Sequence, residues 1–229
     1  MKHFTVTLTK GEMLGGWIYL AVQLLILPDL LKLVNAFLAY PWDNLQLNLI
    51  YYVINLLSIL LIFHRFLWKS LKQLLKSPGK ILGTAVLGCL VYWFANFIVS
   101  IAIFILMPDF SNSNDSNIAG MAQTNFWLIA LSTVILVPIA EEALYRGLLF
   151  GCLYQKAPLA GYLLSTAAFC AIHVIGYIDL YPWDTLLISF VTYIPAGLCL
   201  SWGYARSDCF FTPVIMHTLI NAVSILSLR

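Results

Sequence analysis

Of 229 residues, 62% are hydrophobic and only 10% are charged, and the formal net charge is +2. Soluble domains carry roughly 25% charged residues, so this composition excludes an ordinary soluble domain and implies a membrane protein. The small net charge, with no basic patch interleaved with aromatics, excludes nucleic acid as a partner. Five cysteines (Cys89, Cys152, Cys170, Cys199 and Cys209) make an odd set without a C-x-x-C pair. They read as small packing residues between helices rather than a disulfide framework.

Apolar stretches near the roughly 20 residues a spanning helix needs follow in chain order. The first covers 14–38, with Pro28 and Asp29 predicting a kink or break. Its length, late start and lack of a small-x-small site mark it as a retained helix, not a signal peptide. The second covers 45–63 and the third 81–107. The run Ser111–Asn117 reads as a flexible external loop. A fourth span covers 126–154, the fifth 159–177, the sixth 185–204 and the seventh 210–228. The expected fold class is therefore all-α, a polytopic bundle of about seven transmembrane helices; the broken first segment leaves six or eight open. No inverted pair of broken helices of the transporter kind is apparent. Residues 1–124 read as N-terminal helices and 125–229 as the core that carries chemistry.

Charge then orients the chain. Arg65, Lys69, Lys72, Lys76 and Lys80 recur every three or four residues between the second and third spans, the pattern of an amphipathic helix on an anionic leaflet. The positive-inside rule makes this loop cytoplasmic, together with Lys2, Lys10, Lys156 and Arg206. Asp43, Asp109, Asp115, Asp179 and Asp184 fall on the opposite side, and of the basic residues outside the spans only Arg229 joins them. The N-terminus is expected in the cytoplasm, in what reads as a bacterial plasma membrane.

Against this background stands Glu141-Glu142-Ala143-Leu144-Tyr145-Arg146, preceded from Phe126 by uncharged sequence. An ionised side chain at bilayer depth costs about 2.5–3.5 kcal/mol on insertion scales, which makes such a cluster a functional-site hypothesis. Glu142 and Arg146 are four apart on one helix face and can pair. Glu141 points about 100° away and is left for another partner. Pro138 should weaken the ladder just before the pair. Two more polar pairs share i, i+4 spacing: Phe169 with His173, and His217 with Asn221. Glu141, His173, His217 and Asn221 could converge on one wet cavity, expected to open to the cytoplasmic side.

Such a set can hydrolyse a peptide bond in two ways. Glu141 can act as general base on water with help from His173, while His217 and Asn221 donate to the oxyanion. Alternatively Glu141, His173 and His217 can bind zinc or another divalent metal that activates the water. The bland alternative is an ion-pair lock between helices, with Asn35, Asn55 and Asn96 as interhelical glue. A proton or cation relay of a transporter, a non-catalytic immunity protein, and a Cys170 thiol nucleophile complete the alternatives.

The three motifs in this order, Glu141-Glu142 with Arg146, Phe169 with His173 and His217 with Asn221, resemble the CPBP family of CAAX proteases and bacteriocin-processing enzymes, also called Abi. The resemblance covers about residues 126–224. It implies an intramembrane endopeptidase acting on membrane-associated or lipid-modified peptides or proteins, as in CAAX processing or in pheromone and bacteriocin maturation. It further implies Glu141 as catalytic carboxylate, Glu142 with Arg146 as supporting pair, and His173, His217 and Asn221 completing the site. Family members are labelled both glutamate and metalloproteases; an obligatory metal is not expected here. Expected partners are membrane lipids and the peptide or protein substrate.

Overall fold

The computed structural model describes residues 4–229, so Lys2 of the orientation argument lies outside the described residues. Among the described residues every regular element is helical. Helix α1 spans Lys10–Leu25 and opens on a capping box: the Thr9 side chain receives the Glu12 amide while Glu12 receives the Thr9 amide. The break expected near Pro28 falls at Ile26, where α2 (Leu27–Ala36) departs at 47° with Pro28 in its first turn. Asn35, expected as interhelical glue, instead clamps the connection to α3 by bonding the Trp42 backbone at both its amide and its carbonyl. Helix α3 spans Asn44–Ile62 and is capped by Asp43.

The basic loop is α4, His64–Lys76. It buries Phe66 and Ser70 and exposes Arg65, Lys69, Lys72 and Lys76. Helix α5, Pro78–Leu106, is 29 residues long, about 43 Å at 1.5 Å per residue. Its outer face exposes Leu90, Phe94, Phe97, Ile101 and Phe104. A contiguous apolar face of that size is what lipid covers.

The Ser111–Asn117 loop is shorter than expected, because α6 (Ser113–Leu131) already begins inside it. Asn112 is the reason: its side chain accepts from the Asn114 and Asp115 amides, the N-cap role that asparagine favours. Ser113 to Tyr154 form one stretch of 42 residues, helical except at Asn125, whose extended backbone (φ −154°, ψ 95°) kinks α6. Two π-helical stretches, Ser132–Leu136 and Ala143–Phe150, interrupt it and isolate α7 (Val137–Glu142), followed by α8 (Gly151–Tyr154). Helix α9 spans Pro158–Ile175. The sixth predicted span is two helices, α10 (Trp183–Thr192) and α11 (Ile194–Ser207), meeting at Tyr193 just before Pro195. Helix α12 spans Phe211–Leu226.

Five helical stretches are long and apolar enough to cross a membrane, and the bent α1–α2 pair makes six. The seventh predicted span is α12, apolar but 16 residues long, short of the roughly 20 a perpendicular crossing needs. The chain is a multi-pass, all-α membrane protein, with seven crossings not established.

The bundle has two chemically distinct ends. At one, Gln73 of α4 donates to the Asp208 carbonyl (2.6 Å), the Thr5 amide donates to the Asp208 carboxylate (2.9 Å), and Glu12 accepts from the Phe66 amide (2.8 Å). Phe63, Phe66, Leu144, Leu148, Phe150 and Phe210 fill the interior there. At the other end Asn44 bonds Asn117, Tyr177 donates to Asn114, and Asn112 donates to Thr192. Between them α11 packs against α5, α9 and α12.

Close approach of α9 and α11 depends on Gly197, where an added Cβ would lie 2.6 Å from the Thr166 methyl and 3.1 Å from its Cα. Gly197→Val is expected to cost about 1–3 kcal/mol by overpacking. A lowered unfolding midpoint in detergent checks this, and an unchanged midpoint contradicts it.

Candidate active site

The two acids sit where the long helix changes pitch. Glu141 and Glu142 end α7, and the wider π-helical turn begins at Ala143. Such π segments recur at functional sites because they loosen the i→i−4 ladder and leave carbonyls for outside partners. Pro138, without an N–H, follows the first π stretch, as the expected weakening requires. Helix α12 uses the exposed carbonyls: Thr218 donates to Val134 O (3.0 Å) and Asn221 to Thr133 O (2.8 Å). Ser165 of α9 donates to Tyr145 O (2.8 Å) in the second stretch.

Arg146 and Glu142 form the pair that their spacing suggested, with Nη1 to Oε1 at 3.0 Å and both side chains fully buried. Arg146 Nη2 also donates to Gly197 O (3.2 Å), and the guanidinium lies 4.2 Å from the Phe169 ring centroid. Phe169 is thus a platform beneath the cation, a contact that strengthens when both partners are desolvated.

His217 departs from expectation. Its Nδ1 lies 2.8 Å from Glu142 Oε1, the same oxygen that Arg146 engages, and not beside Glu141. A carboxylate that receives Arg146 can only accept, so Nδ1 carries the proton and Nε2 is left for the cavity. Glu142 thus faces α12, whereas Glu141, about 100° around α7, looks across toward α9. Glu141 Oε2 and His173 Nε2 are 4.0 Å apart, the side chains 17% and 14% exposed. His173 Nδ1 donates to Phe169 O (2.7 Å), which fixes the ring and directs Nε2 at Glu141.

Glu141, Phe169, His173, His217 and Asn221 all line one cavity of about 680 Å³, while Glu142 and Arg146 lie behind its wall. Cys170 is buried and does not line it, so the thiol is not presented to a substrate there. Asn55 accepts from Tyr19 OH (2.9 Å), the interhelical role expected for it, and both Asn55 and Asn96 border the cavity. The expected zinc ligands Glu141, His173 and His217 share the cavity without converging. Among the described residues no three His, Cys, Asp or Glu side chains are spaced to hold one ion, because His217 is turned to Glu142.

The cavity opens at the end away from the basic helix, which reverses the expected direction. Its outer lining comes from Lys32, Asn44, Asn48, Asn114, Asp115, Asn117 and Leu180, and nothing from α4 reaches it. His173 explains this: it stands two residues from the end of α9, on the Asp-rich side of the bundle.

Tyr193 is the site residue that sequence reasoning missed. Its ring stacks on His173 (centroids 4.1 Å apart, 28° between planes), and its hydroxyl donates to Asp115 (3.0 Å). No helical spacing links positions 173 and 193; the available signal was Pro195, which places a helix break beside Tyr193.

Residues 123–223 match the family described as type II CAAX prenyl endopeptidase Rce1-like. The chain is 27% identical over 178 residues, 76% of its length, to a Bacillus subtilis protein named "Putative membrane peptidase YdiL", of which the match covers 68%. It is 29% identical to two Lactococcus lactis proteins, UPF0177 protein YxdF over 38% of the chain and UPF0177 protein YbdJ over 45%. The matches span about two fifths of those two relatives, 42% and 40%. No solved structure matches the chain. The matched segment, residues 123–223, holds Glu141, Glu142, Arg146, His173, His217 and Asn221, the residues that carry the resemblance to the CPBP (Abi) family.

Proposed function

We propose that the protein is an intramembrane endopeptidase in which Glu141 activates the water that hydrolyses a peptide bond of a membrane-associated or lipid-modified substrate. The observation that carries this reading is the division of labour between adjacent acids. Glu142 is spent on Arg146 and His217, whereas Glu141 Oε2 has no hydrogen-bond partner and faces His173 at the cavity wall. A carboxylate at a cavity wall, with an oxygen free of hydrogen bonds and an imidazole beside it, is equipped to take a proton from water.

In this reaction Glu141 removes a proton as the water oxygen attacks the carbonyl carbon, and the same proton passes to the leaving nitrogen as the C–N bond breaks. His173 Nε2 holds the water from the other side. Asn221 has one amide hydrogen committed to Thr133 and a second for the oxyanion, and His217 donates from Nε2 when its ring carries two protons. Nothing in these steps requires a metal, and none is routed through one. The transporter alternative is less well supported, because the aromatic layer of Phe63, Phe66 and Phe150 closes the bundle below the acids.

The test is cleavage of a membrane-embedded peptide by the purified protein in proteoliposomes. We expect cleavage to survive chelation and to fall about a hundredfold in His173→Phe, the lower end of what a positioned acid–base group contributes. Stoichiometric zinc lost together with activity would replace the water-activating step while keeping the peptidase. Ion flux without any cleavage contradicts the function itself.

A further inference from the structure

We infer that the site takes its peptide from the non-cytoplasmic side of the membrane, along a track of carboxamide and phenol groups on α3; the inference rests on the peptidase reading above. Helix α3 sends Asn44, Asn48, Tyr51, Tyr52 and Asn55 into the cavity, spaced four, three, one and three apart, so that one face of the helix lines it from rim to floor. From Asn44 to Asn55 the helix rises about 16 Å at 1.5 Å per residue. An extended peptide advances about 3.3 Å per residue, so the track accommodates roughly five residues.

Amides and phenols suit a peptide backbone because each offers donor and acceptor capacity without charge. Asn48 donates to Asn44 O (2.8 Å), leaving its own Oδ1 as an acceptor toward the cavity. Asn44 in turn holds Asn117 of α6 (2.8 Å), fixing the opposite bank of the rim. Apolar Leu47, Ile118, Ile172 and Val223 alternate with these groups around the lining, as side-chain contacts to a substrate require.

The direction follows from charge. The rim residues lie at the end that carries Asp43, Asp109, Asp115, Asp179 and Asp184, while Arg65, Lys69, Lys72 and Lys76 stand exposed at the other. Positive loops stay in the cytoplasm, so the opening faces out. A cytoplasmic C-terminal tail would meet the closed aromatic end of the bundle. The substrate class is therefore a peptide segment presented at the outer surface or outer leaflet.

The experiment labels intact cells producing the full chain with a membrane-impermeant thiol reagent. Asn48→Cys should be modified in intact cells beyond the wild-type background, and Lys72→Cys only after lysis. Asn117→Cys gives a second rim position should Asn48→Cys fail to fold. Labelling of the rim cysteines only after lysis, or of Lys72→Cys in intact cells, overturns the inference. A parallel assay adds a soluble peptide to right-side-out and inside-out vesicles of the wild type. Cleavage in the first and its loss in the second is expected; the reverse overturns the inference, and outward labelling with no cleavage in either orientation refutes the peptidase reading while leaving the orientation standing.

Discussion

Replacing Arg146 by Ala should destabilise the protein by about 3–5 kcal/mol, the usual cost of removing one partner from a buried ion pair. Arg146 is entirely enclosed and has three separate engagements: Glu142 at 3.0 Å, Gly197 O at 3.2 Å and the Phe169 ring at 4.2 Å. Its loss leaves the buried Glu142 charge with His217 alone, its Oε2 already lacking a hydrogen-bond partner, and releases the α11 backbone from the acid-bearing helix. The double substitution Glu142→Gln with Arg146→Met should recover part of the stability, because it removes both charges instead of orphaning one. Thermal unfolding in detergent checks both statements; an Arg146→Ala protein as stable as wild type would show that the pair is not a structural lock.

Glu141→Gln should behave in the opposite way, with a normal unfolding midpoint and a loss of cleavage rate of about 10²–10⁴, the range a general base supplies. The amide keeps the shape of the acid but cannot take a proton from water. Glu141 supports no buried ion pair, and its neighbour His173 is held independently through Phe169 O and Tyr193. Removing the charge therefore leaves the wall of the cavity standing. The separation of the two phenotypes, stability from Arg146 and rate from Glu141, is what distinguishes a catalytic site from an interhelical lock.

Much of this site was legible as spacing. Glu142 and Arg146 four residues apart fixed their own meeting, and the i, i+4 pairs Phe169–His173 and His217–Asn221 marked the two helices that complete the cavity. Which acid meets which histidine was not legible, because it depends on how α9 and α12 pack around α7, and spacing within one helix carries no signal for packing between helices. The early start of α6 was hidden for a different reason: Ser and Asn favour loops and helix caps alike, and only the bonds of Asn112 decide between them. The direction of the opening had a signal that the charge pattern overshadowed, since His173 stands near the Asp-rich end of its span.

The central claim is that Glu141, and not the buried Glu142–Arg146 pair, performs the chemistry. Its most direct test is mass spectrometry of a membrane-embedded peptide incubated in ¹⁸O-labelled water with wild-type and Glu141→Gln proteins of equal thermal stability. Wild type should give two new fragments, with one solvent oxygen in the new carboxyl terminus, and Glu141→Gln neither fragment above background. The same fragments appearing at the wild-type rate with Glu141→Gln would contradict the claim.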